Sequence, residues 1–215
     1  MLRLILGRAG TGKTALLFSE IAARCARRQS GSFLIVPEQY SHEAERELAQ
    51  RCGDTASLYA EVLSFSRLAH RVAIGCGGSA RVYIDKPGRF LQLSLALEQV
   101  GGALSVYGGS ARSPERMVQL LSALDELRFG CAAPDALRKA AESATPSLAG
   151  KLRDLALLQE ALDALSAQSG ADPAGRLDVL AEQLPGCAWL RSAKFYIDGF
   201  TDFTAQERRV IRALL

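Results

Sequence analysis

The stretch Leu2-Arg3-Leu4-Ile5-Leu6-Gly7-Arg8-Ala9-Gly10-Thr11-Gly12-Lys13-Thr14 decides the fold class of this chain. Its first five residues are a short apolar run ending in glycine, which by length and flank predicts a buried parallel strand. Gly7 to Thr14 then matches G-x-x-x-x-G-K-[ST], and the near-helical spacing of Leu16, Leu17, Phe18 and Ile21 predicts a helix from Lys13 to about Arg28. Glycines in such a loop let backbone N–H groups converge on phosphate oxygens, where side chains would obstruct them. The helix N-terminus adds its partial positive charge. Gly7, Arg8, Ala9, Gly10, Thr11 and Gly12 are therefore expected to cradle ATP, with Lys13 on the β- and γ-phosphates and Thr14 holding Mg²⁺.

Beyond the loop, Ser32-Phe33-Leu34-Ile35-Val36 predicts a second buried strand, stopped by Pro37. Ser41 suits the cap of a helix running to about Arg51, with Glu43 in its first turn complementing the dipole. Tyr59 to Leu63 gives a weaker strand, and Ser64 to Ile74 a helix ending at Gly75. This β-α-β-α-β-α order is that of a parallel α/β sheet with crossover helices. From about Asp85 the texture becomes helical, with patterns over roughly 88–100, 114–129, 134–143, 147–168 and 175–184. Pro114 and Pro134 sit where first-turn prolines belong. The next strand is Lys194-Phe195-Tyr196-Ile197, and Thr204-Ala205-Gln206-Glu207 is a capping box opening a last helix. The expectation is a P-loop core from 1–85 and 191–215, interrupted by an all-helical insertion over 86–190.

A phosphate loop of this kind works with an acidic residue that ends another apolar strand and reaches Mg²⁺ through water. Asp198, after Phe195-Tyr196-Ile197, fits that role. Asp85 ends Val82-Tyr83-Ile84, but Pro87-Gly88 after it reads as a turn, so Asp85 is expected to be a turn or cap residue.

Composition sets the outer bounds. Of 215 residues, 48% are hydrophobic and 23% charged, and 26 basic against 23 acidic side chains leave a formal charge of +3. Such a chain has the apolar surface to offset its conformational entropy, which excludes a disordered protein. No apolar run approaches the ~20 residues of a bilayer span, and Leu2–Leu6 is too short for a signal peptide. A charge of +3 permits nucleic-acid binding without requiring it. Five scattered cysteines, Cys25, Cys52, Cys76, Cys131 and Cys187, include no C-x-x-C pair, so free thiols in a reducing cytoplasm are expected. Val210-Ile211-Arg212-Ala213-Leu214-Leu215 breaks off inside a helical pattern, as a fragment of a longer protein would.

With these motifs placed, further segments resemble the first motor domain (subdomains 1A and 1B, RecA-like) of a superfamily-1 helicase of the UvrD kind. Val36-Pro37-Glu38-Gln39-Tyr40-Ser41-His42-Glu43-Ala44 stands where that family has motif Ia, and Ser64-Phe65-Ser66-Arg67-Leu68-Ala69-His70-Arg71 is similar to its T-F-H-x-L-A-H-R segment. Ile197-Asp198-Gly199-Phe200-Thr201-Asp202 occupies the place of its motif II, D-E-x-x-D. The closer resemblance is to the AddB component of the AddAB helicase–nuclease. It rests on the N-terminal loop, on Val36-Pro37-Glu38-Gln39, and on Asp198-Gly199-Phe200-Thr201-Asp202-Phe203-Thr204-Ala205-Gln206-Glu207. A glycine directly after the motif-II aspartate is unusual for a working motor.

The resemblance implies a cytoplasmic bacterial machine that processes double-stranded DNA breaks for recombination, pairing this subunit with an AddA-type motor. It also implies a C-terminal nuclease with an iron–sulfur cluster, outside the present stretch, as are helicase motifs III to VI. Motif Ia and the Ser64–Arg71 segment would line a single-stranded DNA channel. There Ser41, Ser66 and Arg67 can bond phosphates, and Tyr40 or Phe65 can stack on bases. Gln39 follows a strand-ending Pro37, at the carboxyl edge of the sheet, facing either DNA or nucleotide. His42 and His70 suit surface or satisfied core positions, and Glu38 a turn. Two other classes fit the loop: a small P-loop kinase whose helical middle acts as a lid, and a non-catalytic scaffold with a vestigial pocket.

Overall fold

The computed structural model describes residues 2–53, 55–76, 82–108 and 113–215. Its sheet holds three parallel strands, β1 (Ser32–Ile35), β2 (Ala60–Leu63) and β3 (Lys194–Ile197), in the order β2-β1-β3. Leu34 of β1 lies opposite Val62 on one side and Tyr196 on the other. All four β1 residues are buried, as an unbroken strand between two neighbours must be.

Side-chain alternation along β1 sorts the helices onto two faces. Leu34 and Val36 pack with Phe18, Ile21 and Cys25 of α1 (Lys13–Ala26) and with Ala44 and Leu48 of α2 (Ser41–Cys52). On the opposite face, Phe33 and Ile35 meet Phe65, Leu68 and Val72 of α3 (Phe65–Gly75), which opens on Ser64, whose Oγ accepts the Arg67 N–H at 3.2 Å.

The chain divides into two compact units. One comprises Met1–Ala80, Leu177–Phe203 and Glu207–Leu215 and contains the sheet. The other comprises Arg81–Arg176 with Thr204–Gln206, and its helices are α4 (Lys86–Val100), α5 (Pro114–Phe129), α6 (Pro134–Glu142) and α7 (Pro146–Ser169). Pro114, Pro134 and Pro146 each open a helix at the position where a missing N–H costs nothing. The core of this unit is built from Leu93, Ala96, Leu120, Leu124, Leu137 and Leu158, among others. Asp85 caps α4, accepting the Gly88 N–H at 2.8 Å, which is the turn-and-cap role its sequence indicated. Arg89 reaches Asp125 on α5 and Asp172. Its guanidinium is held above its ordinary pKa, chiefly by the Asp125 hydrogen bond.

Four expectations need correction. Leu2–Leu6 forms no strand: it pairs with none of the three strands, so its backbone gains no ladder partner, and Leu2, Leu4 and Leu6 are 56%, 72% and 88% exposed. The helical insertion does not run to residue 190 as one body. Leu180, Ala181 and Leu184, in and just after α8 (Arg176–Gln183), join Phe33, Ile35 and Leu63 in the sheet unit's core, because an apolar face of the returning chain covers that side of the sheet. Ser41 is the first residue of α2 rather than its cap, and its Oγ is buried without a hydrogen-bond partner. The cysteines are not all free: Cys76, just past α3, is disulfide-bonded to Cys187 in the same unit, 111 residues away. Neither spacing nor a local motif announces a pair so distant, whereas Cys25, Cys52 and Cys131 remain thiols. Among the described residues no helix is long and apolar enough to cross a membrane.

Candidate nucleotide site

The loop from Gly7 to Thr14 turns into α1 through two left-handed residues, Gly10 at φ +76° and Gly12 at φ +82°. A side chain at either would be strained, which is the local reason for glycine there. Gly12 is also the cap position of α1, and the first turn of α1 carries no acidic residue, so the positive end of its dipole is not offset from within. Lys13 folds back over the loop, its Nζ donating to the carbonyl oxygens of Gly7 at 2.8 Å and Arg8 at 2.7 Å. Thr11 Oγ1 donates to the Arg8 carbonyl at 2.8 Å. The lysine ammonium is thereby kept at the mouth of the loop with donor capacity to spare, since it carries three N–H groups.

Above this loop lies a cavity of about 670 Å³, within the size range of small-molecule sites. Lys13, Thr14, Tyr40, Asp198 and Gly199 line it together, with Phe18 among its apolar wall. Asp198 is brought there by β3, whose end continues with the Asp198 N–H donating to the Ile35 carbonyl at 3.1 Å. A hydroxyl and a carboxylate at one cavity are oxygen donors of the kind Mg²⁺ takes. No group of three or more His, Cys, Asp or Glu side chains suited to a metal occurs among the described residues. A cation here would therefore need phosphate and water to complete its shell, which is how Mg²⁺ is ordinarily held beside nucleotides.

Gly199 next to Asp198 has φ +81°, and a Cβ built on it would lie 3.3 Å from Pro37 Cδ and 3.8 Å from Tyr40 Cδ2. The turn after β1 thus rests on the residue that follows the acidic one.

The residues expected to meet DNA differ in their exposure. Gln39 is exposed in the short 3₁₀ turn Glu38–Tyr40, and Ser66 is exposed on α3. Tyr40 is 47% exposed but lines the cavity with Lys13. Ser41 is buried. Phe65 is 4% exposed, its ring 5.4 Å from that of Phe200, so it is a core residue and offers no face to a base. Arg67 is ion-paired with Glu45 at 2.6 Å on the surface. Conversely, the cavity takes in Glu43, Glu47 and Arg51 of α2, which were not expected there. Their four-residue spacing, which sets them along one helix face, is the signal that points to them. Arg51 also donates to Glu47 at 2.6 Å and lies over the Phe18 ring.

Comparison with known proteins places this arrangement in a family. Residues 4–215 match the family model described as ADDB, N-terminal. The chain is 38% identical over 220 residues to the AddB-type component of the ATP-dependent helicase/deoxyribonuclease of Desulforamulus reducens, covering 100% of this chain and 19% of that protein. It is 36% identical to the component of the same description in Moorella thermoacetica over 222 residues, again 100% of this chain and 19% of the relative. In Heliobacterium modesticaldum the corresponding figures are 38% over 221 residues, 100% and 18%. The chain therefore spans about one-fifth of the length of these relatives, and it belongs to the AddB N-terminal family.

Proposed function

We propose that this chain is the ATP-binding, helicase-like N-terminal part of an AddB-type subunit, a RecA-like P-loop unit of a bacterial helicase–nuclease that repairs double-strand breaks by recombination. One observation carries this reading: Lys13, Thr14 and Asp198, far apart in sequence, line a single cavity above a glycine-hinged helix start. Gly7 to Thr14 bind the phosphates, the α1 N-terminus and Lys13 meet their charge, and Thr14 and Asp198 hold Mg²⁺, Asp198 through water. A cation held by Thr14 and Asp198 would supply neutralisation of phosphate charge. The relatives' description as helicase/deoxyribonuclease subunits supports DNA and a motor subunit of the AddA type as partners. Gln39, Ser66 and Arg67 are the exposed residues we assign to single-stranded DNA, through contacts that are phosphate-led and hence salt-sensitive and indifferent to sequence.

Calorimetric titration with Mg²⁺ and a non-hydrolysable ATP analogue tests the reading. Lys13→Ala removes a charge-assisted bond to phosphate, worth about 1.5–3 kcal/mol, so affinity is expected to fall roughly 10- to 150-fold with the fold intact. Equal affinity in mutant and wild type contradicts nucleotide binding by this loop.

A further inference from the structure

We propose that Tyr40 contacts the terminal phosphate of the bound nucleotide rather than a DNA base, and that Gly199 lacks a side chain in order to seat it there. The inference rests on the nucleotide reading above and deepens it. Tyr40 belongs to the motif-Ia segment, which the resemblance assigns to DNA, yet its side chain lines the same cavity as Lys13, Thr14 and Asp198. The turn carrying it is short and closed, with the Tyr40 N–H donating to the Pro37 carbonyl at 2.9 Å. Both ends of that turn bear on Gly199: the position of a Cβ there is 3.3 Å from Pro37 Cδ and 3.8 Å from the Tyr40 ring. Contacts of 3.3 Å leave a side chain no room unless the proline gives way, and φ +81° adds backbone strain for any other residue.

The tyrosine ring edge therefore lies beside Gly199, next to Asp198, and the residue stays half exposed while lining the cavity. Its hydroxyl is a donor, and phosphate oxygens are acceptors, so a bond there is charge-assisted. Thr14 and Asp198 line the cavity together with Tyr40, and a cation held by those two residues would neutralise charge on the terminal phosphates. A donor neighbouring Asp198 thus meets the γ-phosphate, which ATP has and ADP lacks. Pro37–Ser41 becomes a segment whose position depends on which nucleotide is bound, and Gln39, one residue away and exposed, moves with it.

The test compares Mg²⁺ complexes of ADP and of a non-hydrolysable ATP analogue by calorimetry, on wild type, Tyr40→Phe, Gly199→Ala and Lys13→Ala. Tyr40→Phe removes only the hydroxyl and is expected to weaken the triphosphate about tenfold while leaving the diphosphate unchanged. Gly199→Ala displaces the turn and is expected to produce the same triphosphate-selective loss. If it fails to fold, as a thermal melt would reveal, Tyr40→Phe alone decides. Wild-type affinity of Tyr40→Phe for both nucleotides, alongside a clear loss in Lys13→Ala, overturns the role of Tyr40 and leaves the nucleotide reading standing. Binding of neither nucleotide by wild type overturns both. A drop in affinity of nucleotide-free Tyr40→Phe for a single-stranded oligonucleotide assigns Tyr40 to DNA and also overturns the proposal.

Discussion

Given Mg·ATP, with or without single-stranded DNA, this chain is expected to bind nucleotide and release almost no phosphate. A motor of the resembling kind has a glutamate directly after its motif-II aspartate to orient the attacking water, and here that position is Gly199. Groups that orient or activate a nucleophile contribute about 10²–10⁴-fold in rate. The lack of a side chain at this position is matched by the backbone. Gly199 sits at φ +81° with Pro37 Cδ 3.3 Å from where a Cβ would stand, so Gly199→Glu is expected to disturb the Pro37–Tyr40 turn without restoring turnover. Phosphate release measured for wild type, Asp198→Ala and Gly199→Glu checks this. Turnover near one per second in wild type that disappears in Asp198→Ala would mean that another acid does the work, Glu43 of the cavity being the first to replace.

The largest stability effect is expected in the helical unit, at Asp154 of α7. Only 1% exposed, its carboxylate accepts the N–H groups of Ser105 at 2.9 Å, Val106 at 2.7 Å and Tyr107 at 3.0 Å, and the Ser105 hydroxyl at 3.1 Å. Gly150, one helical turn earlier, lets that loop lie close: a Cβ there would be 3.1 Å from Val106 Cγ2. Burial opposes the charge, but the backbone N–H groups and the Ser105 hydroxyl outweigh it and hold the carboxyl below its ordinary range. The stabilisation is therefore complete above the pKa of the unfolded chain, about 4, and is lost as pH falls through the lower folded value. Asp154→Ala removes the shared acceptor of three backbone N–H groups and is expected to cost about 3 kcal/mol in chemical denaturation, and to remove that part of the acid limb. A loss below 1 kcal/mol would mean that water or a rearranged loop satisfies these groups.

Local patterns with a mechanical cause were legible in the sequence. Gly10 and Gly12 stand where φ is positive, the prolines at 114 and 134 open helices, and Asp85 caps α4. What escaped depends on distant partners. Leu2–Leu6 has the composition of a buried strand, but a strand needs a neighbour, and this segment pairs with none of the three. Phe65 and Tyr40 both read as stacking platforms. One faces Phe200 in the core and the other the cavity, a difference set by which face of the sheet each helix covers. Cys76 and Cys187 meet only because the chain returns to the sheet unit after residue 176. The polar knot around Asp154 was equally hidden, since its donors are backbone groups of a loop 47–49 residues away.

Amide hydrogen exchange with and without Mg²⁺ and a non-hydrolysable ATP analogue checks whether the loop from Gly7 to Thr14 holds the phosphates of ATP. The Thr11 N–H donates to the Arg8 carbonyl at a long 3.4 Å, and the loop around it is exposed, so its amides are open to solvent before a ligand arrives. Bound phosphate is expected to slow exchange at Gly10 to Thr14 in wild type and to leave Lys13→Ala unchanged at the same ligand concentration. Unaltered exchange across this loop while the nucleotide is demonstrably bound would contradict the account.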